Sequence, residues 1–183
     1  MVRHSLTETI PGLPSEKWEL SAEGRKRCIA LAERINKYQP VLMITSLEPK
    51  AIQTGALVAN ILDIPFESAP GLHEHLREKE GLDSRIGFEA KLKYFFEKPS
   101  SLVFGQESAK QALSRFSIAI TQVLDHFQTG NVVIVAHGTV MALWIAGRIG
   151  GDPFIYWKKL GLPSFAVFSR PDLKYVEFVE NVT

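Results

Sequence analysis

The apolar positions of this chain fall into two patterns that alternate along the sequence. Short continuous apolar runs at 41–45 and 131–136 predict strands buried on both faces, as in the centre of a parallel sheet. Elsewhere apolar residues return every three or four positions, as on one face of a helix. The helices predicted in this way span about residues 21–37, 46–62, 88–97, 107–127 and 139–149. Alternating strands and helices predict an α/β sandwich with a mainly parallel sheet.

Shorter strands are expected elsewhere in the chain. Residues 64–67 predict one, and the runs 164–169 and 174–179, joined by a turn at Pro171-Asp172, predict antiparallel edge strands. Only Met1 and Val2 are available for apolar positions of a first strand. Either that strand is short, or the start of the chain is assigned too far downstream. The 183 residues fit a single domain, 1–183, with a loop-rich cover segment at about 68–101.

Composition and charge exclude several classes of protein. The net charge is +1 and the basic residues are scattered, which predicts no binding of nucleic acid or of an anionic membrane surface. No run approaches the roughly 20 apolar residues that span a bilayer. The first residues lack the apolar core of a signal peptide, so a cytoplasmic location is expected. Cys28 is the only cysteine, which excludes an intrachain disulfide and a cysteine-based zinc site.

Chemically active residues follow three of the predicted strands. Arg3-His4 follows the first, Ser46–Lys50 follows the second, and His137-Gly138 follows the central one. In open α/β sheets, ligands bind beyond the carboxyl ends of the strands, near helix N-termini. Two imidazoles, a guanidinium and an ammonium are therefore expected to meet at one sheet edge. Cations and helix N-termini attract phosphate oxygens, and a neutral imidazole can attack phosphorus.

Six segments carry a resemblance to a known family. They are, in chain order, Val2–Glu8, Leu20–Gly24, Ser46–Thr54, Leu72–Glu74, Gly105–Ser108 with Arg115, and Val133–Gly138. The first resembles the Arg-His-Gly signature of the histidine phosphatase (phosphoglycerate mutase-like) superfamily, and the others resemble its later landmarks in the same order. The resemblance implies a three-layer α/β/α sandwich of the phosphoglycerate mutase type.

The resemblance also implies catalytic roles. His4 attacks phosphorus and becomes a phosphohistidine, and His137 is the second imidazole at the transferred group. Glu74 is the candidate general acid, which protonates the leaving oxygen and then activates water. The alternative for Glu74 is a solvated loop carboxylate, with Glu78 or Glu80 as its substitute.

The expected phosphate site departs from the family pattern at two positions, Lys50 and Ser5. Arg3 and Lys50 are the expected cations, and Lys50 stands where the family usually has an arginine, so the planar fork is lost. Arg77 is a candidate to compensate for that loss. Thr139 is expected to contact phosphate, or else to cap its helix. Ser5 replaces the usual glycine and is expected to reshape the pocket floor.

The remaining histidines give weaker signals. His73 and His75 flank Glu74 and are candidates for the pocket mouth. For His73 and for His126, a surface or partly buried position without a functional role is favoured. A metal would need further converging ligands, and no His-x-x-x-His spacing exists. No metal and no cofactor are therefore expected.

Together these observations predict a metal-independent phosphatase that acts on a small phosphorylated metabolite through a phosphohistidine. The alternatives are mutase-type phosphoryl transfer and a non-catalytic phosphate-binding or regulatory domain. The region of Trp18 and the segment 152–157 are either a homodimer contact or part of the core.

Overall fold

The computed structural model describes residues 1–77 and 85–183, in which strands and helices alternate. The six strands are β1 (Val2–Arg3), β2 (Pro40–Thr45), β3 (Phe66–Ser68), β4 (Asn131–Ala136), β5 (Ser164–Ser169) and β6 (Lys174–Val179). The six α-helices are α1 (Ala22–Asn36), α2 (Pro49–Leu62), α3 (Arg85–Glu97), α4 (Ala109–His126), α5 (Gly138–Ile149) and α6 (Pro153–Lys159). A short 3-10 helix at Ser15–Lys17 precedes α1.

The strands form one sheet in the order β3-β2-β4-β1-β5-β6. The first four strands of that order run parallel to one another, whereas β5 pairs antiparallel with β1 and with β6. The prediction of a mainly parallel sheet with an antiparallel C-terminal edge is confirmed. As expected, β4 is central, since it lies between β2 and β1.

Helices cover both faces of the sheet, which gives the three layers expected from the sequence. Residues of α1 and α2 pack with β2 on one face, where Cys28 is fully buried as a small apolar side chain. Residues of α3, α4 and α5 form the core of the other face, with Phe95 and Phe116 fully buried. The site-bearing ends of the strands are therefore held between two apolar layers.

Local capping explains where the helices begin and end. The Ser21 hydroxyl accepts a hydrogen bond from Gly24 N at 3.0 Å at the start of α1, as predicted. Ser108 and Gln111 form a reciprocal capping box, so α4 begins at Ala109 rather than at the predicted residue 107. Ile64 N still donates to Ala59 O, and β3 accordingly begins two residues later than predicted.

The segment 152–157 belongs mostly to α6, a seven-residue helix that the sequence pattern did not reveal. Asp152 caps it by accepting from Phe154 N at 2.8 Å. Trp157 stacks on Phe154 and packs against Phe88. These rings therefore pack against the core, which is one of the two positions expected from the sequence. The homodimer remains a prediction.

A cavity of about 560 Å³ lies at the end of the sheet where the parallel strands begin. β1 pairs with β4 only at Val135 and Ala136, so the first residues of β4 and the last residues of β5 line this space. The Met1 amino group donates to Ala166 O at 2.7 Å, and burial lowers its pKa to about 5. Among the residues that the structure describes, none of the site residues predicted from the sequence lines this cavity.

Candidate active site

The register of β1 and β4 brings two histidines together. His4 follows β1, its backbone N–H donates to Ala136 O at 3.0 Å, and His137 follows β4 directly. The two ring centroids are 5.2 Å apart with planes tilted by 57°. His4 is 7% exposed and His137 is fully buried. The convergence expected from the ends of parallel strands is present.

The His4 ring is held in one tautomer. Its Nδ1 lies 2.8 Å from the carbonyl oxygen of Ser5, and because a carbonyl only accepts, Nδ1 carries the proton. The lone pair is therefore on Nε2. Burial lowers the pKa of His4 well below the ordinary value, and the neighbouring His137, Lys50 and Arg3 lower it further. His4 thus presents a neutral, nucleophilic nitrogen at neutral pH.

The His137 ring is buried beside a carboxylate. Its Nε2 lies 3.3 Å from Glu48 Oε1, but the contact does not have hydrogen-bond geometry. Within the described residues, neither ring nitrogen of His137 has a hydrogen-bond partner. Burial lowers the pKa of His137 well below its usual value, and Lys50 and Arg3 act in the same direction. A buried imidazole without a partner is suited to bind a further polar group.

Arg3 lies under the start of α5. Its guanidinium donates to the carbonyl of Leu160, and burial lowers its pKa to about 10, so it remains charged at neutral pH. A Cβ at Gly138 would lie 2.9 Å from Arg3 Cζ. Glycine at this position therefore gives the guanidinium room beside the helix N-terminus.

The Glu74 carboxylate lies inside the site, not in solvent. It accepts from Thr139 N at 3.0 Å, from Val140 N at 3.3 Å and from His75 N at 2.8 Å, and Arg77 Nη2 is 3.3 Å away. Burial acts to raise its pKa, but Arg77 and the backbone N–H groups outweigh burial and lower it to about 2. The carboxylate is ionised at neutral pH and occupies the N-terminus of α5.

Arg77 and Thr139 are joined in the same cluster. Arg77 Nη2 donates to Thr139 Oγ1 at 3.0 Å, and the guanidinium lies over the Phe88 ring at 4.8 Å from its centroid. The Thr139 hydroxyl therefore does not cap α5, whose N-cap residue is His137. Both residues face the Glu74 carboxylate.

Lys50 reaches the site, but the ammonium has protein partners. It donates to Ser15 O at 2.6 Å and to the Glu48 carboxylate. Glu48, which the sequence analysis did not single out, is 8% exposed and accepts from Glu74 N at 2.8 Å. Burial raises the pKa of Glu48, with Lys50 opposing that shift. An acidic residue directly before Pro49 at a helix start is ordinarily explained by the helix dipole, so its position gave no signal of the pocket.

A buried ion pair holds the segment that carries Glu74. Arg115, on α4, donates to Gly71 O at 2.8 Å, to His73 O at 2.9 Å and to Glu107 Oε1 at 2.5 Å. Glu107 in turn accepts from Leu76 N at 3.1 Å. The segment 71–76 is therefore fixed through its backbone by one guanidinium and one carboxylate.

Ser5 does not form part of the pocket floor, contrary to expectation. Its hydroxyl donates to Gly24 O at 2.7 Å and its N–H donates to Thr54 Oγ1 at 3.0 Å, so the side chain points to α1. A Cβ at Gly24 would lie 1.9 Å from Leu6 O. The close approach of α1 to the segment after His4 thus requires glycine at position 24.

Of the other three histidines, His73 lies near enough to His137 for its charge to lower the pKa of that imidazole. His75 is buried, its Nε2 lies 2.9 Å from Glu107 O, and its ring packs on Phe95, so it is not at a pocket mouth. His73 is partly buried and His126 is exposed. Glu78 and Glu80 lie outside the described residues. In the part of the chain that the structure describes, no three His, Cys, Asp or Glu residues cluster as metal ligands.

The sheet order and the two imidazoles among cations at the ends of β1 and β4 define a histidine phosphatase-like α/β/α protein. The sequence profile of the histidine phosphatase superfamily (branch 1) matches residues 1–168. The chain belongs to this superfamily. No curated protein sequence matches the chain. Among residues 1–77 and 85–183, no helix is long and apolar enough to cross a membrane.

Solved structures share this fold at low sequence identity. A mycobacterial glucosyl-3-phosphoglycerate phosphatase is 22% identical, with a TM-score of 0.71 over 90% of this chain and 86% of its own. A mutant phosphoserine phosphatase from Entamoeba histolytica is 16% identical, with a TM-score of 0.72 over 97% and 94%. The alpha-ribazole phosphatase from Shigella flexneri is 18% identical, with a TM-score of 0.71 over 99% and 96%.

Proposed function

We propose that this protein is a metal-independent phosphatase that hydrolyses a small phosphorylated metabolite through a phosphohistidine at His4. The observation that carries the proposal is the neutral His4 Nε2, whose tautomer is set by the 2.8 Å contact of Nδ1 with Ser5 O. Membership of the superfamily supports hydrolysis, and so do the phosphatases named among the structural neighbours.

In the first step the lone pair of His4 Nε2 forms a bond to phosphorus. The bond between phosphorus and the leaving oxygen breaks, and its electron pair goes to that oxygen. The charge on the remaining phosphoryl oxygens is stabilised by three cations, Arg3, Lys50 and Arg77. Their charges act on the imidazoles at which the phosphoryl group binds, and Lys50 and Arg77 also pair with Glu48 and Glu74. His137 Nε2, which lacks a hydrogen-bond partner among the described residues, contacts the same group.

Glu74 is the proposed acid and base. In the substrate-free site it is ionised, and a bound phosphoryl group raises its pKa because like charges disfavour a second anion. Protonated in this way, Glu74 gives its proton to the leaving oxygen. In the second step water attacks phosphorus, the N–P electron pair returns to His4, and Glu74 takes the proton of the water.

The test is turnover of a generic aryl phosphate by the wild type in the presence of a metal chelator. We expect metal-independent release of the phenol, together with an acid-labile, base-stable phosphoryl label on the protein after a rapid quench. A folded wild type that binds inorganic phosphate without turnover would support the regulatory domain instead. Transfer of the label to a second metabolite rather than to water would support the mutase alternative.

Arg77 supplies a second, more local prediction. Arg77→Ala removes one charge-assisted contact to the phosphoryl group and is expected to lower kcat/KM for the aryl phosphate by about 10- to 100-fold. Steady-state kinetics on the folded variant measure the effect. Arg148→Ala is the matched control, because Arg148 also lies over an aromatic ring, that of Trp144, but near the far end of α5. Unchanged kinetics in Arg77→Ala would remove Arg77 from the phosphate site.

A further inference from the structure

Glu48 places a carboxylate where a bound phosphoryl group must approach. Its Oε1 is 3.3 Å from His137 Nε2, and the His137 ring lies beside the nucleophilic His4 at 5.2 Å between centroids. An oxygen that accepts a hydrogen bond from His137 Nε2 therefore lies next to Glu48 Oε1. This position is an unusual one for a carboxylate, because two adjacent anions repel each other strongly among buried side chains.

The carboxylate is also fixed in that position. Glu48 Oε1 accepts from Glu74 N at 2.8 Å, and Oε2 pairs with the Lys50 ammonium. Moving Glu48 out of the pocket would leave the buried Lys50 ammonium without its anionic partner and Glu74 N without its acceptor, which is costly. The repulsion is therefore better relieved by a proton than by displacement of the side chain.

We propose that Glu48 shares one proton with the bound phosphoryl group, so that the pocket accepts a phosphate monoester together with that proton. This inference rests on the proposed function, since it assigns a specificity-determining role to a residue of the same site. The proton forms an O–H···O hydrogen bond between Glu48 Oε1 and a phosphoryl oxygen, a strong type when one partner is ionised. The proton is brought either by the ester monoanion or by Glu48, and the total charge of the complex is the same in both cases.

The groups that face Glu48 are consistent with this assignment. They come from three elements: Lys50 from α2, His137 from the start of α5, and Glu74 from the segment before α3. Burial raises the pKa of Glu48, Lys50 lowers it, and the Glu74 charge raises it. A bound anion at His137 raises the pKa of Glu48 further, so binding favours uptake of a proton.

The proposal predicts which anions the pocket favours. Phosphate monoesters have a second pKa of about 6 and are therefore available with one proton near neutral pH. Sulfate carries no proton at that pH, so its binding requires Glu48 itself to take up the proton. Because a phosphate ester can also bring the proton, the carboxylate favours phosphate esters over fully deprotonated oxyanions of the same shape.

The experiment measures binding of phenylphosphonate, a non-hydrolysable probe, to wild type and Glu48→Gln by calorimetry between about pH 6 and about pH 8.5. Glutamine retains the size and the acceptor for Glu74 N but cannot share the proton in this way. At every pH at which Glu48 of the unbound protein is ionised, the ratio of the wild-type Kd to the variant Kd is expected to rise about tenfold per pH unit. Buffers of different ionisation enthalpy are expected to show one more proton taken up by the wild type than by the variant.

Glu177→Gln is the matched control. Glu177 pairs with Lys37 at 3.0 Å, beyond the C-terminal end of α1 and away from the two imidazoles. This variant is expected to retain the wild-type pH dependence and proton uptake. A ratio that stays constant with pH for Glu48→Gln overturns the proposal. If Glu48→Gln does not fold, a wild type that takes up no proton on binding at about pH 8.5, where the free phosphonate is a dianion, overturns it without any variant.

Phosphonate binding and aryl phosphate turnover separate this proposal from the proposed function. Turnover together with a constant Kd ratio overturns the role of Glu48 and leaves the phosphatase assignment intact. A Kd ratio that rises with pH for Glu48→Gln, without turnover by the wild type, supports Glu48 and overturns the phosphatase assignment. A wild type that neither binds the phosphonate nor hydrolyses the aryl phosphate overturns both.

Discussion

A His4→Ala variant is expected to hydrolyse an aryl phosphate about 10⁴-fold more slowly than the wild type, or more slowly still. The substitution removes the nitrogen that forms the covalent intermediate, and no other described imidazole has the same position and tautomer. His137 does not replace it, because its Nε2 lies 3.3 Å from the Glu48 carboxylate instead of presenting a free lone pair to phosphorus. The measurement is kcat in chelator-treated buffer, with the phosphoryl label on the protein followed in parallel.

His126→Ala is the control for this variant, since His126 is an exposed histidine at the end of α4. It is expected to retain wild-type turnover and labelling. If His4→Ala remains folded and retains turnover within about tenfold of the wild type, nucleophilic catalysis by His4 is wrong. Loss of turnover with retained labelling would place the phosphoryl group on another residue.

Arg115→Ala is expected to lower the free energy of unfolding by about 3–5 kcal/mol. The guanidinium is 19% exposed and its partner Glu107 is 9% exposed, so the substitution leaves a buried carboxylate unpaired. It also removes the donors for the carbonyls of Gly71 and His73. Urea denaturation followed by circular dichroism measures the change, which corresponds to a Tm about 10 °C lower for a domain of this size.

Two further variants identify the cause of this loss. Arg25→Ala removes an arginine that is about half exposed and 3.9 Å from Glu19, and it is expected to cost less than about 1 kcal/mol. Adding Glu107→Gln to Arg115→Ala is expected to recover part of the lost stability, because the unpaired charge is then absent. Equal losses for Arg115→Ala and Arg25→Ala would show that Arg115 does not hold the segment before α3.

The main elements of the fold and the meeting of the two histidines could be predicted from the sequence. The runs at 41–45 and 131–136 are apolar enough to be buried on both faces, and only a sheet with helices on both sides provides that environment. Once β1 and β4 are parallel neighbours, the residues after them must meet at one edge of the sheet. His4 and His137 followed from that argument.

The charge state of the site could not be predicted from the sequence. Glu74 is ionised because Arg77 and the N–H groups of Thr139 and His75 converge on it, and these contacts depend on how separate segments pack. Glu48 went unrecognised for the same reason. Its sequence position suggests only a favourable charge at a helix start, whereas its neighbours in space are Lys50 and His137.

The first strand shows what kind of genetic change this fold tolerates least. Side chains in a strand point alternately to the two faces, and β1 is fixed by the pairing of Val2 with Val135 and of Arg3 with Ala136. A slip of one residue in this pairing turns His4 away from His137, although every side chain is still present. The location of the nucleophile therefore depends on the number of residues in β1 as much as on their identity. Among changes in and next to β1, small in-frame insertions and deletions are more harmful than most conservative replacements of Val2.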